Sequence, residues 1–337
     1  MVISQKMNEN EMGYRGSKSE FHNPQPIEIS VKEQRVDGSY FGSVLNPRLR
    51  CTLTGGESRY HIKILSKQLK PDYARTFSTL RNVLNPWFIT GFTDAEGCFS
   101  IGIQPDAKLK TKWRVLPVFI IKLHKKDLII LEDIKKTLQV GKIRKSGENY
   151  VQYVVESFKE LQVIVNHFDN YQLVTAKVSD FLLFKQCFEI IKQREHLTEK
   201  GLLNLIGLKS SLNWGLSLSL KEAFPHVNFV SRPEYKFKGI SDPFWVAGFT
   251  SGDGSFQIRL RKLKTNIGYR VSLLYSFHLH IKDLDVLKGL ASYFNNNSKN
   301  LIFNDKKVGI SDNKSVHLQI AKFTDINEKI IPFFFRV

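Results

Sequence analysis

Cysteine is scarce in this chain: 337 residues hold three, Cys51, Cys98 and Cys187, with no pair at zinc-ligand spacing. An odd, scattered set excludes a disulfide-framed secreted scaffold and a structural zinc site, and reads as reduced thiols in a reducing compartment. No run of eighteen apolar residues occurs, so no transmembrane helix is expected. The N-terminus shows neither a signal-peptide apolar region nor an Arg-rich transit pattern. Acidic residues are few, 32 Asp and Glu against 50 Lys and Arg, for a formal charge of +18. That imbalance points to a polyanionic partner, nucleic acid ahead of an anionic membrane surface. Hydrophobic residues make up 42% of the chain, enough for packed cores rather than general disorder.

What is present is a duplication. Asn85–Gly97 reads N-P-W-F-I-T-G-F-T-D-A-E-G and Asp242–Gly254 reads D-P-F-W-V-A-G-F-T-S-G-D-G. Each opens on an N-cap residue followed by proline and closes on glycine, which frames one short apolar helix. Glu96 and Asp253 fall in the last turns, where the helix dipole disfavours a carboxylate by roughly 0.3–1 kcal/mol. An acid placed there twice implies a compensating positive charge, and a divalent metal is the natural candidate.

The repeat continues past the acids. Phe99, Ile101 and Ile103 alternate with Cys98, Ser100, Gly102 and Gln104; Phe256, Ile258 and Leu260 alternate with Ser255, Gln257, Arg259 and Arg261. A period of two predicts half-buried strands. A second alternating strand follows each, with Lys112, Arg114 and Lys122 in one copy and Arg270, Ser272, Ser276 and His278 in the other on the polar parity. L-H-K-K-D-L and L-H-I-K-D-L come next, with Asp127 and Asp283 as expected helix N-caps. The unit reads helix, hairpin, helix, hairpin, helix. The resulting division is an extension at 1–84, a first domain at 85–214, a linker at 215–241 and a second domain at 242–337. Short strands are expected near Ile62–Leu65. Two amphipathic helical stretches, Val174–His196 and Thr198–Trp214, have no counterpart in the second copy. That copy is therefore expected to lack its last helices and to leave side chains such as Phe277 and Leu279 uncovered.

Between Cys98 and Lys126 there are seven Lys or Arg and one acid, Asp106; between Ser255 and Lys282 there are six and none. A sheet with a cationic, water-facing side can enter a major groove, its Lys and Arg drawn to phosphate and residues such as Gln104, Gln257, Arg259, Arg261, Arg270 and Ser272 placed to read base edges. Gly91 and Ala95, like Gly248 and Gly252, stand four apart and form a flat stripe on one helix face. Two such stripes would let the helices touch and bring Glu96 and Asp253 close together. Carboxylates at short range repel unless metal neutralises them, and Mg²⁺ suits oxygen ligands that include phosphate.

I-T-G-F-T-D-A-E-G and V-A-G-F-T-S-G-D-G resemble the two signature helices of the LAGLIDADG homing endonucleases, in the single-chain, double-motif form of fungal mitochondrial introns. The resemblance covers about residues 85–337 and extends to L-H-K-K-D, F-K-Q-C-F, R-E-H-L and L-N-W-G-L. It implies an α+β fold of two pseudo-symmetric αββαββα domains that form a DNA-binding saddle; the expected C-terminal truncation of the second is a departure from that pattern. It also implies a functional monomer acting on double-stranded DNA without a membrane, and metal-dependent double-strand cleavage. Glu96 and Asp253 match the motif's metal-binding acids, and Ala95 and Gly252 match positions whose carbonyls help to ligate Mg²⁺ or another divalent cation. Asp94 reads as helix-end structure. Leu123 and Leu279 stand where relatives often carry Gln, and the basic residue of the site falls to Arg144 or Lys145 and to Lys306 or Lys307. Three activities fit the resemblance: intron homing by site-specific cleavage, an RNA maturase bound to intron RNA, or a non-cleaving DNA-binding protein. Retention of both acids favours the first.

Overall fold

The computed structural model describes residues 30–32, 83–262, 268–296, 308–312 and 315–337. Cys51, Lys306, Lys307 and the strands expected near Ile62–Leu65 lie outside the described residues. A short strand β1 (Ser30–Lys32) is followed by a first unit: α1 (Pro86–Glu96), β2 (Gly97–Pro105), β3 (Trp113–His124), α2 (Leu128–Leu138), β4 (Lys142–Lys145), β5 (Tyr150–Val155) and α3 (Phe158–Asn170). Next come α4 (Lys177–Lys192), α5 (Glu199–Ser210) and α6 (Leu218–Ala223). The second unit runs α7 (Pro243–Asp253), β6 (Gly254–Lys262), β7 (Tyr269–His280), α8 (Leu284–Asn296), β8 (Val308–Asp312) and β9 (Ser315–Ile320). It closes on α9 (Phe323–Asp325), a π turn (Ile326–Ile330) and α10 (Ile331–Arg336). Both sheets are antiparallel, in the orders β2-β3-β5-β4 and β1-β6-β7-β9-β8, so one topology occurs twice, with β1 added at the β6 edge.

Asn85 and Asp242 cap their helices by accepting from the Trp87 and Phe244 amides at 2.9 and 2.7 Å, ahead of proline at the first position. The closing glycines serve a different purpose from the usual left-handed cap. Gly97 and Gly254 are extended, with φ of −77° and −79°. They are required by space: a Cβ would lie 2.4 Å from Thr93 Cγ2 or 2.6 Å from Thr250 Cγ2. Asp127 occupies the N-cap position of α2 as expected but makes no side-chain cap bond, and the 3-10 turns that precede α2 and α8 are capped by His124 and His280, each accepting from the amide two residues on at 3.2 Å. The linker is not wholly irregular either, since it contains α6, whose neighbour Phe224 packs on Trp113 at 5.2 Å.

The first core forms where α4 and α5 cover the sheet. Phe99 and Ile101 are fully buried, Phe99 lying 5.2–5.5 Å from Phe119, Phe168, Phe181 and Phe184. Each such burial stabilises by roughly 1.5–3 kcal/mol. The second core corrects the expectation for Phe277 and Leu279. Both are buried, Phe277 stacking 5.5 Å from Phe249 of α7. The uncovered residues lie farther out on β6 and β7: Phe256 is 43% exposed, Ile258 42% and Val271 62%. After β9 the chain has one helical run, which reaches Phe256 through the Phe334 ring at 5.5 Å.

One buried base sits in the first core. His167 Nε2 lies 3.2 Å from Thr90 Oγ1, and that hydroxyl donates to the Tyr171 carbonyl at 3.1 Å. The hydroxyl proton is thus committed, and the imidazole must donate from Nε2. Burial holds His167 down at about 4 against an ordinary 6.5. The unfolded chain then binds the extra proton first, so its stabilisation is complete above about pH 6.5 and is lost as pH falls toward 4. Urea midpoints are expected to decline across this window with a slope approaching about 1.4 kcal/mol per pH unit. His167→Gln should remove that contribution; an unchanged slope would assign the loss to other groups.

Candidate functional site

The two motif helices cross with their backbones touching. A Cβ on Gly91 would lie 2.0 Å from the Trp245 carbonyl oxygen and 2.8 Å from the Phe249 amide. A Cβ on Gly248 would meet the Phe88 oxygen and the Phe92 amide at the same 2.0 and 2.8 Å. The reciprocal pairs, at matching positions of the two copies, describe a two-fold axis running between the helices. Ala95 and Gly252 continue the contact: a Cβ on Gly252 would lie 2.3 Å from Ala95 Cβ and 3.1 Å from Glu96 Cγ. The stem of Glu96 therefore rests on the last turn of α7, which ends in Asp253. Both acids are half-buried, each followed directly by the first strand of its own unit.

The positive charge at the end of α1 is a lysine. Lys177 Nζ donates to the carbonyls of Thr93 (2.9 Å), Ala95 (3.3 Å) and Gly97 (2.6 Å), which cluster at the C-terminal end of α1. Sequence reasoning missed Lys177. It lies some eighty positions away at the start of α4, and no local pattern marks a lysine that folds back to a helix end. Asp94 has the structural role expected of it. It is buried and accepts from the Val174 and Thr175 amides (2.8 and 3.2 Å), the Thr175 hydroxyl (2.6 Å) and Trp245 Nε1 (2.8 Å). Burial raises its pKa, against the pull of those donors and of Lys177. Ser251, its counterpart, bonds back to the Ala247 carbonyl at 2.9 Å. Asp283 accepts from the Ala176 amide at 2.8 Å, so one short segment, 174–176, is gripped by both halves of the chain.

Among the described residues no group of three or more His, Cys, Asp and Glu gathers into a metal cage. The donor set at the helix ends is two carboxylates and the Ala95 and Gly252 carbonyls. All are hard oxygen ligands, and too few to enclose a cation without water or phosphate. That composition fits Mg²⁺, which keeps waters and takes substrate phosphates, better than a self-contained site. Ala95 O already receives Lys177, but a carbonyl retains a second lone pair.

The strand registers place the other candidates. Gln104 lies opposite Arg114, Ser255 opposite Ser276, Arg259 opposite Ser272 and Arg261 opposite Arg270, so each pair shares a face. Ser100 and Lys122 fall on the same polar side of the first sheet, Lys122 over the Tyr150 ring at 5.0 Å. Gln257 links Ser255 and Arg259 in a row, at 3.1 and 3.3 Å. Two candidates stand differently from expectation. Lys112 is in the loop before β3, its Nζ on the Ala107 carbonyl at 3.1 Å, and Arg114 pairs with Asp106 at 2.6 Å. Arg144, a candidate basic residue, forms a two-pronged pair with Glu156, both bonds 2.6 Å. Register also adds residues that the sequence reading passed over: Gln152 lies opposite both Lys122 and Arg144, His317 opposite His278 and Gln319 opposite Ser276. The alternation of β5 and β9 was the available signal.

The sequence pattern of the family described as LAGLIDADG endonuclease matches residues 89–188 and 246–336. "Probable intron-encoded endonuclease 3" of Neurospora crassa is 35% identical across 99% of this chain and 63% of its own length. An uncharacterised 50.9 kDa protein in ND4 intron 1 of Podospora anserina is 41% identical across 50% of this chain and 41% of its own. The chain thus spans less than two thirds of the length of each of these two curated relatives. Among solved structures, the LAGLIDADG meganuclease I-CpaMI bound to uncleaved DNA superposes with a TM-score of 0.69 at 48% identity, covering 74% of this chain and 84% of that one. The I-SmaMI homing endonuclease bound to cleaved DNA gives 0.69 at 40% identity, covering 75% and 83%.

Proposed function

This chain belongs to the LAGLIDADG endonuclease family, and on that premise we propose that it is an intron-encoded, site-specific endonuclease that breaks both strands of duplex DNA. The observation that carries the reading is the pair of acids, Glu96 and Asp253, at the touching ends of α1 and α7 between two cationic sheets. The proposed setting is a fungal mitochondrion, since relatives are named for ND4 and cox1 introns. The proposed working form is a monomer, because one chain supplies both helices and both sheets.

Mg²⁺ held by Glu96 and Asp253, with the Ala95 and Gly252 carbonyls, would supply polarisation of the scissile phosphate and an activated water. The chain's own residues do the rest. The polar rows on the two sheets bind the duplex and fix its register, phosphate contacts positioning it and base-edge contacts selecting it. Lys177 neutralises the carbonyl end of α1 and holds Glu96 at a fixed height. Asp94, by tying α1 to α7 through Trp245, keeps the two acids from drifting apart. The test is incubation of the purified protein with DNA carrying the intronless and the intron-interrupted host site, with and without Mg²⁺. Linear products only from the intronless DNA with metal are expected; binding without cutting under every condition would reject the nuclease.

The cationic rows make a separate expectation. Log affinity should fall against log salt by about 0.9 per phosphate contacted. Arg259→Ala or Arg270→Ala should cost on the order of 1–3 kcal/mol and relax specificity at one position if the guanidinium reads a guanine. Uniform weakening on every sequence would make it a phosphate contact. Competition binding against a randomised site separates these outcomes.

A further inference from the structure

Of the four tryptophans, Trp87 and Trp113 are half-buried and Trp245 is fully buried, whereas Trp214 is 82% exposed. This exposure does not come from a loose segment. Its turn contains two residues with positive φ, Asn213 at 52° and Gly215 at 81°, and the Gly215 amide bonds the Leu212 carbonyl at 3.0 Å. Asn213 anchors it twice, its amide to Asp180 Oδ1 at 3.1 Å and its Nδ2 to the Phe99 carbonyl at 2.6 Å. Arg232 locks the arrangement from the linker, bonding Asp180 with both prongs and the Ser211 carbonyl at 3.1 Å. Leu212 and Leu216 on either side are buried. A rigid turn with buried neighbours that holds out a large indole has no folding reason to do so, since a tryptophan that serves packing is largely covered.

Its position gives the reason. The Phe99 carbonyl belongs to the outer edge of β2, three residues past Glu96, or on the order of 10 Å along the strand. Cys98, between them, is exposed, and its sulfur feels two cations, Lys177 and Lys209, and one anion, Asp180. The turn that holds out the indole is therefore pinned to the edge strand of the first sheet, close to where Glu96 ends α1. Building on the reading above, we propose that Trp214 is a duplex-contacting residue that packs its ring on the deoxyribose edge of the strand passing over β2, with Lys209 at a neighbouring phosphate. A sugar presents the same C–H surface at every base pair, so this contact adds affinity and holds the backbone at the cleavage site without reading sequence.

The test uses the full chain and a fluorescein-labelled, mixed-sequence 30-base-pair duplex at low salt. Anisotropy reports binding and acrylamide quenching reports tryptophan accessibility. In the free protein the readily quenched emission should disappear with Trp214→Ala; on saturation with duplex, wild-type quenching should fall to the level of that variant. Trp214→Ala should weaken binding on the order of tenfold with an unchanged salt slope, because no counterion is involved, while Lys209→Ala should lower the slope by about 1. Trp214→Phe, which keeps an apolar ring, should recover most of the affinity. Duplex binding with quenching unchanged would overturn this proposal and leave the nucleic-acid reading standing, as would an indole already shielded in the free protein. Absence of duplex binding would reject both.

Discussion

Glu96→Gln and Asp253→Asn are each expected to lower double-strand cleavage more than about 100-fold, since even the loss of a residue that merely orients a metal ligand commonly costs 10–100-fold. Duplex affinity measured without metal should stay within about threefold, because the acids sit at the helix ends and the sheets supply the phosphate contacts. Neither acid is in a core; both are half-buried, so the isosteric amides should leave the unfolding midpoint nearly unchanged. The Glu96 change removes a carboxylate resting on α7, and the Asp253 change removes one from the opposite half. A double variant no worse than either single one would mean that the pair acts as a unit. Cleavage that survives both substitutions would remove the acids from the mechanism. A large drop in midpoint would reassign them to structure.

Gly91→Ala and Gly248→Ala carry the largest stability effect. Alanine in a helix interior normally gains about 1 kcal/mol over glycine. At these positions the added methyl would sit 2.0 Å from a backbone carbonyl oxygen of the partner helix, an atom that cannot swing aside. The helices must separate, with the Trp245, Phe249, Phe88 and Phe92 packing that depends on them. The expected net loss is about 3 kcal/mol or more, the upper range for overpacking, or a fall in Tm of about 6–12 °C. Gly102→Ala is the control, since a Cβ there meets Leu116 at 3.4 Å, ordinary contact. Equal melting of all three variants would show that the helix contact has room to relax.

The duplicated motif made the two units, their order of elements and the crossing helices readable, because a helix bounded by N-cap, proline and glycine is a local signal and its recurrence multiplies it. The stripe Gly91–Ala95 facing Gly248–Gly252 was likewise visible. Lys177 was not: its value lies in three carbonyls brought to it by the fold, and nothing near it in sequence records that meeting. The histidines in L-H-K-K-D-L and L-H-I-K-D-L cap the 3-10 turns ahead of α2 and α8, and the bond from the Ala176 amide to Asp283 joins residues 107 apart, which no local pattern records. Alternation correctly assigned faces on β2 and β3 but could not say what covers them. Phe99 and Phe256 hold the same place in the same pattern, yet one is sealed beneath α4 and the other is 43% exposed.

The matched 2.0 and 2.8 Å approaches at Gly91 and Gly248 have a further consequence. The backbones obey a near-perfect dyad, but the side chains carried outward from it do not: Ser100 and Gln104 on one wing answer to Gln257 and Arg261 on the other. A symmetric dimer is compelled to prefer a palindrome, because each substitution appears twice. Here a change on one wing leaves the other untouched, so under the proposed function the two half-sites of the target would be free to diverge independently while the helix contact between the wings stays fixed.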